Sequence, residues 1–494
     1  MHVFTLFALL LGLTAHAQQP NVVIIYADDM GYGDLSAQNQ QSKIPTPHLD
    51  QLAAQGVRFT DGHSSSGICT PSRYALLTGR YHWRDFHGIV TSFGKSKFKA
   101  ETQTMPEAFQ SAGYHTACIG KWHLGWDWPI TVEKPSLSFK NKAFYGVEDI
   151  DWEKPILDGP LAHGFDHYFG DDAPNFPPYS WIENDRVTVV PTTILTEEPA
   201  VPEGGAETRP GPAVPGWSLF DGLPTLQNHT TNWLREASTK KQPFFLYLAL
   251  PSPHAPIVPT PKFSKTSEAG PYGDFVVQTD AFVGQVTAML DRLDLTKDTI
   301  VVFTSDNGPE GYAHRRLQKT THDSSGGLRG VKRDLWEGGH RVPFLLRWPS
   351  KIAPNQVSSA LISQIDLMRT LANLAQVSLE KAAAPDSIDF SPYLLSQKTE
   401  KTPPRNILVH NTRKHRYGLR KGLWLYLNTP TGSGRPVPDF VKTPPANTTP
   451  DALYHLGDDL AQTTNLVTTR PEIATDLRAQ LQEELSSRQV QLPK

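Results

Sequence analysis

Groups able to bind a cation or move a proton recur at the ends of apolar runs in this chain of 494 residues. Asp28 and Asp29 close the run NVVIIYA and open the stretch DDMGYGD. Asp306 and Asn307 close the run TIVVFT within SDNG. Adjacent carboxylates repel unless a positive charge lies between them. Together the four side chains offer only oxygen ligands, which suits a hard cation such as Ca²⁺ or Mg²⁺ and not zinc. Spacing alone leaves a second reading open, in which the acids are solvated turn and helix-capping residues.

Cys69 is one of only two cysteines; the other is Cys118. It precedes Thr70-Pro71-Ser72-Arg73, and a proline in the first turn marks a helix entry. A thiol at a helix N-terminus is polarised by the dipole, and anions are favoured there. Arg73, about one turn on, is placed to hold an anion or a charge on residue 69. The alternative is an inert buried cysteine, the usual fate of a lone thiol.

Lys121 and His123 stand two residues apart in GKWHLG, on one side of an extended segment. His254 is clamped between prolines in PHAP, and Lys332 lies in LRGVKRDLWEGGHRVP. Two lysines supply charge for an oxyanion, and two histidines supply proton transfer near neutral pH. Taken singly, each is equally compatible with ordinary surface or core positions.

These groups need a scaffold. Asn21–Ala27, Phe244–Leu250 and Thr299–Thr304 read as buried strands. Helical patterns over 47–55, 104–112 and 280–293 lie between them. Strands alternating with helices predict an α/β fold with a mostly parallel sheet, whose strand ends gather polar groups in one crevice. Residues 190–216 read as a long surface excursion, and 365–375 as a closing helix. From about Lys401 the pattern shifts to short strands at 407–411, 417–420 and 423–427, then a helix over 471–487, which predicts a smaller α+β subdomain. The domain expectation is 1–17, 18–400 and 401–494.

The first segment, Met1–Ala17, carries an apolar run and an Ala-His-Ala cleavage pattern, though no Lys or Arg precedes it. It reads as a secretory signal, hence export to the periplasm or medium, with no membrane anchor. A formal net charge of −3 gives bulk electrostatics no reason to attract nucleic acid.

The stretches DDMGYGD, CTPSRYALLTGR, GKWHLG, PHAP, SDNG and LRGVKRDLWEGGHRVP occur in one order. In this the chain resembles the formylglycine-dependent sulfatases of the alkaline-phosphatase-like superfamily, from Asn21 to about Leu466. The resemblance implies a large mixed, mostly parallel sheet flanked by helices, with the smaller subdomain C-terminal to it. It implies that Cys69 is oxidised to formylglycine by a formylglycine-generating enzyme that reads Cys69 to Arg73. One hydroxyl of the hydrated aldehyde attacks sulfur, and the other lets the sulfated residue collapse and expel sulfate. Asp28, Asp29, Asp306 and Asn307 would bind one Ca²⁺ together with residue 69. Arg73 would hold the residue-69 hydroxyls, and Lys121 and Lys332 would clamp sulfate. His254 would protonate the leaving alcohol, and His123 would take the second hydroxyl's proton.

Further stretches, among them SKIPTPHLDQLAAQGVRF, GRYHWR and NFPPYSWIEND, resemble bacterial exo-acting carbohydrate 6-O-sulfatases. The expected substrate is a sulfated glycan bearing 6-O-sulfate on galactose or N-acetylgalactosamine. Other sugar positions, aryl sulfates, phosphate or phosphonate esters, and glycan binding without turnover are the alternatives. His314, Arg315, His322 and His410 are the expected substrate contacts. Trp83, Trp126, Trp128, Trp181 and Trp424 are available to stack on sugar faces.

Overall fold

The computed structural model describes residues 19–196, 200–396, 402–438, 441 and 448–486. The expected signal segment and the expected boundary at 400/401 lie outside the described residues.

A ten-stranded sheet organises the fold. Its centre is Asn21–Ala27, which pairs in parallel with Phe244–Ala249 on one side and Thr299–Ser305 on the other. His115–Gly120 and His167–Gly170 extend the parallel order beyond Phe244–Ala249. Beyond Thr299–Ser305 the sheet turns antiparallel through Phe344–Arg347, which then pairs with Val57–Phe59.

The strand sequences explain this placement. A strand covered on both faces needs apolar side chains at every position. In Asn21–Ala27, Val22, Ile24 and Tyr26 enter one core. Val23, Ile25 and Ala27 enter the core on the opposite face. Helices Pro47–Ala54, Gly222–Ser238 and Gly270–Arg292 cover the second face. Helices Cys69–Thr78, Met105–Ser111 and Leu367–Leu374 cover the first.

The helix expected over 280–293 begins ten residues earlier, at Gly270. Glycines 270 and 273 lower local helix propensity. Burial of Tyr272, Phe275 and Val276 overrides it. The excursion over 190–216 contains a small pair of strands, Thr193–Leu195 with Gly211–Ala213.

Four antiparallel strands, Ile407–Arg413, Arg416–Lys421, Trp424–Leu427 and Ala452–His455, form the C-terminal sheet. Helix Pro471–Ser486 packs Ala474, Leu477 and Leu481 against Leu419 and Tyr426. Buried arginines dock this unit. Arg405 donates from Nε to Asp366 Oδ2 at 2.9 Å and from Nη2 to the Asp386 carbonyl at 2.9 Å. Arg420 reaches Glu337 at 2.8 Å and Asp61 at 3.2 Å.

Removing one partner of a buried ion pair strands the other. Arg405→Ala is expected to cost about 3–5 kcal/mol, read as a lower denaturant midpoint. An unfolding curve unchanged from the parent chain would refute this account of the docking.

Candidate active site

The parallel strands bring their carboxyl ends together. Asp28 N–H donates to the Ser252 carbonyl at 3.0 Å, Lys121 N–H to Ala249 at 2.8 Å, and Asp306 N–H to Ala27 at 3.0 Å. Residues just past four separate segments are thereby stitched into one crevice. A regular strand would send Asp28 and Asp29 to opposite faces. Asp29 instead has φ 66°, in the left-handed region. That turn breaks the alternation, and both carboxylates converge with His254 to within 4.8 Å.

The carboxylates meet cations at once. Lys121 Nζ lies 2.5 Å from Asp28 Oδ2. Arg73 donates from Nη2 to Asp306 Oδ2 at 2.8 Å and lies 3.6 Å from Asp28 Oδ2. Lys332 Nζ pairs with Asp29 Oδ1 at 2.6 Å. Asn307 Nδ2 donates to Asp29 Oδ1 at 2.7 Å. All seven side chains are buried.

Burial by itself would raise the Asp28 pKa, but Lys121, with Arg73, holds it well below the usual carboxylate range. Asp306 goes the other way, pushed up by burial and then by the Asp28 charge. Burial favours the neutral form of Lys332, yet Asp29 outweighs it and keeps the ammonium charged.

Cys69 is the first residue of helix Cys69–Thr78 and only 3% exposed. It lines a cavity of about 260 Å³ with His123, His254, Lys332, Asn175, Arg209 and Arg333. His123 Nε2 sits 3.0 Å from the Val90 carbonyl, which can only accept. The proton is therefore on Nε2, and the buried, unpartnered Nδ1 carries a lone pair. Burial, then Lys121, pushes its pKa down to about 3, so the ring is neutral. His254 bonds the Ala255 carbonyl through Nδ1 and turns Nε2 toward Asp29 Oδ2 at 3.6 Å. Burial and the Lys332 charge lower its pKa to about 4.

The cluster fits a hard divalent cation. Asp28 Oδ1, Asp29 Oδ2 and Asn307 Oδ1 are buried and unpartnered. Ligand atoms of Asp28, Cys69 and Asp306 lie within 4.8 Å of one another. Asp28, Asp29 and Asp306 are matched in number by Arg73, Lys121 and Lys332, and a divalent ion would add positive charge beside them.

The family model described as Sulfatase matches residues 20–377. The chain belongs to the sulfatase family. An N-acetylgalactosamine-6-O-sulfatase of Bacteroides thetaiotaomicron is 32% identical to it, over 94% of this chain and 92% of that protein. Human arylsulfatase A is 35% identical over 82% of this chain and 73% of that protein. A solved Bacteroides thetaiotaomicron structure, a 6S-sulf from work on glycosaminoglycan metabolism, superposes with a TM-score of 0.79 at 30% identity. It covers 96% of this chain and 100% of that one. The fold is thus the alkaline-phosphatase-like one, and the reaction class is sulfate-ester hydrolysis.

In this sulfatase the four expected substrate contacts lie elsewhere. His322 is fully buried, with Nε2 2.7 Å from Asp34 Oδ1 and Nδ1 accepting from Lys43 N–H at 3.2 Å. His410 is fully buried and stacked on His340 with centroids 3.5 Å apart. Helix Tyr312–Thr320 buries Ala313 and Arg316, which turns Arg315 to solvent. His314 lines a separate cavity of about 280 Å³ with Arg329 and Trp336. Among the described residues, none of the five tryptophans lines the Cys69 cavity; Trp126 and Trp128, for example, pack in the core.

Several residues at the site were not foreseen from sequence. Asp172 accepts from His123 N–H at 3.1 Å and from Trp126 Nε1 at 3.2 Å, while burial lifts neighbouring Asp171 to about 7. The acid pair after strand His167–Gly170 repeats the pattern of Asp28-Asp29, so a signal existed. Arg209 and Glu207 arrive on the 190–216 excursion, for which spacing offers no signal. Glu310 holds Arg333 at 2.5 Å and lies 3.9 Å from Lys332.

Burial opposes Glu310 ionisation, but Lys332 and Arg333 prevail and lower its pKa to about 2. The folded carboxyl thus titrates below the unfolded one. Its stabilisation is complete above about pH 4.5 and is lost as pH falls toward 2. Glu310→Gln is expected to flatten that part of the stability–pH curve. Parallel curves for variant and parent between those limits would refute it.

Proposed function

We propose that the chain removes 6-O-sulfate from N-acetylgalactosamine or galactose at the end of a sulfated glycan, outside the cytoplasm. One observation carries the reading. Cys69 sits at a helix N-terminus on a cavity wall that also holds a charged lysine and two neutral imidazoles. The N-acetylgalactosamine-6-O-sulfatase relative supports the sugar and the position.

Residue 69 would act as formylglycine, installed by a formylglycine-generating enzyme. A soft sulfur is out of place among hard oxygen donors, and an oxygen-bearing residue suits them. The modification supplies two hydroxyls on one carbon. Asp28, Asp29, Asp306 and Asn307 would hold Ca²⁺, which supplies positive charge beside the sulfate.

The remaining work belongs to the side chains. Arg73, fixed by Asp306, orients residue 69. Lys332 and Lys121 meet sulfate oxygens with charges already in place, so little reorganisation is needed as charge develops. His254 Nε2 is unprotonated in the resting cavity; an anionic ester beside it favours the imidazolium and loads the proton that the leaving alcohol needs. His123 Nδ1, its lone pair fixed by the Val90 bond, accepts a proton from residue 69.

The test is co-expression with a formylglycine-generating enzyme, then sulfate release from a panel. The panel holds 6-sulfated N-acetylgalactosamine, galactose and N-acetylglucosamine, 4-sulfated N-acetylgalactosamine, an aryl sulfate and an aryl phosphate. Turnover of a 6-sulfated galacto-sugar, absent in Cys69→Ala, is expected. Conversion of Cys69 shown by mass, with turnover only elsewhere in the panel, would overturn the substrate. Lys332→Ala is expected to lower kcat by about 10²–10³. Calcium chelation is expected to abolish turnover and added Ca²⁺ to restore it; activity that survives chelation would refute the cation's part.

A further inference from the structure

Thr70 follows Cys69 directly and is fully buried. A threonine hydroxyl in a helix commonly bonds back to a carbonyl of its own preceding turn. Thr78 does so in the same helix, donating to the Tyr74 carbonyl at 2.7 Å. Thr70 instead donates from Oγ1 to the His123 carbonyl at 2.9 Å and accepts from Val90 N–H at 3.1 Å. His123 closes the ring, because its Nε2–H donates to the Val90 carbonyl at 3.0 Å. Both partner segments are remote from Thr70 in sequence, and all three residues are buried.

His123 needs such support. Its φ of 54° lies in the left-handed region, which is costly outside glycine and persists only where the surroundings over-determine it. Three bonds do so here. Its N–H donates to Asp172 Oδ1 at 3.1 Å, its carbonyl accepts from Thr70, and its Nε2–H is held by Val90. The fourth polar atom, Nδ1, is buried without a partner, and the residue lines the Cys69 cavity. The bonding pattern therefore leaves one ring atom for proton transfer.

We propose that Thr70 is a positioning residue, which fixes His123 relative to residue 69 for that transfer. The inference rests on the proposed role of His123 as the acceptor of a residue-69 proton. One peptide bond joins Thr70 to residue 69, so base and nucleophile share one helix turn as their reference point. The position calls for a donor and an acceptor on a single small side chain, which a hydroxyl supplies. Valine has the same shape but would leave Val90 N–H and the His123 carbonyl buried and unpaired. The imidazole would then lose its fixed tautomer and its direction. Misplacing a reacting group by about 1 Å can cost about 10² in rate.

The experiment compares the parent chain with Thr70→Val and Thr70→Ser after co-expression with a formylglycine-generating enzyme. Conversion of Cys69 is quantified by mass, so that rates refer to matured chain alone. Alcohol and sulfate are then followed separately on a sugar that the parent turns over. His254 serves the alcohol and His123 the later proton, so only the later step should suffer in Thr70→Val. Its first alcohol should leave at the parent rate, while kcat falls by about 10–10²-fold and kcat/KM is kept. Thr70→Ser should restore kcat. A readout independent of turnover is the ¹⁵N spectrum of the unmatured chain, with His123 assigned by difference from His123→Gln. The parent and Thr70→Ser should show a single Nε2–H tautomer, and Thr70→Val a mixture.

An unchanged kcat in Thr70→Val overturns the proposal. So does an equal loss in alcohol release, which would mark general disruption of the site, or a single tautomer in that variant. A parent chain silent on every sugar would defeat the proposed function, and the tautomer comparison would still decide this inference. If Thr70→Val does not fold, Thr70→Ala takes its place, and a mixed tautomer in the parent chain overturns the proposal by itself.

Discussion

Burying three carboxylates within a few ångströms is the constraint around which the fold is built. An isolated buried charge is prohibitively costly, and like charges at such range repel. Asp28, Asp29 and Asp306 are tolerated there because Lys121, Lys332 and Arg73 are equally buried beside them. None of these cations comes from the same segment as its acid. Lys121 follows the His115–Gly120 strand, Arg73 lies in helix Cys69–Thr78, and Lys332 sits on a late loop. The cluster therefore exists only when the whole sheet is in register, and the main-chain bonds at the strand ends set that register.

The same constraint separates chemistry from selection. Groups that stabilise charge sit on strand ends and one helix terminus, where packing on both sheet faces leaves them little freedom. Groups at the cavity mouth come from elsewhere: Arg209 and Glu207 from the long excursion, Arg333 from the loop beside Lys332, and Thr412 and Arg413 from the C-terminal sheet. Loops can change without disturbing the sheet. A family with one reaction and many sulfated substrates is compatible with that division.

The charged cluster was largely legible in sequence because its carriers obey local rules. Continuous β-branched runs mark strands buried on both faces, and acids directly after them must sit at strand ends. Cys69 was legible because proline two residues on marks a helix entry. What was not legible depends on tertiary direction. His322 lies in a loop between catalytic segments, as a substrate contact would, yet Asp34 captures it and buries it. His410 looks like a polar residue on an exposed strand, yet the strand turns it inward against His340. Conversely, nothing in the composition of residues 190–216 shows that Arg209 returns over Phe176 at 4.9 Å to line the cavity. Left-handed Asp29 and His123 were equally hidden, since neither residue type demands positive φ.

Burial also orders events in time. Every residue of helix Cys69–Thr78 is buried, and Arg73 is held by Asp306 and over the Tyr26 ring at 5.3 Å. An enzyme that reads Cys69 to Arg73 as an extended peptide cannot do so in the folded chain without breaking that helix and exposing an unpaired Arg73. Breaking a buried pair costs about 3–5 kcal/mol before the helix packing is counted. On the proposed maturation, oxidation of residue 69 would therefore precede closure of the charged cluster. The packing that fixes Arg73 against Asp306 is the same packing that buries residue 69 in the folded chain.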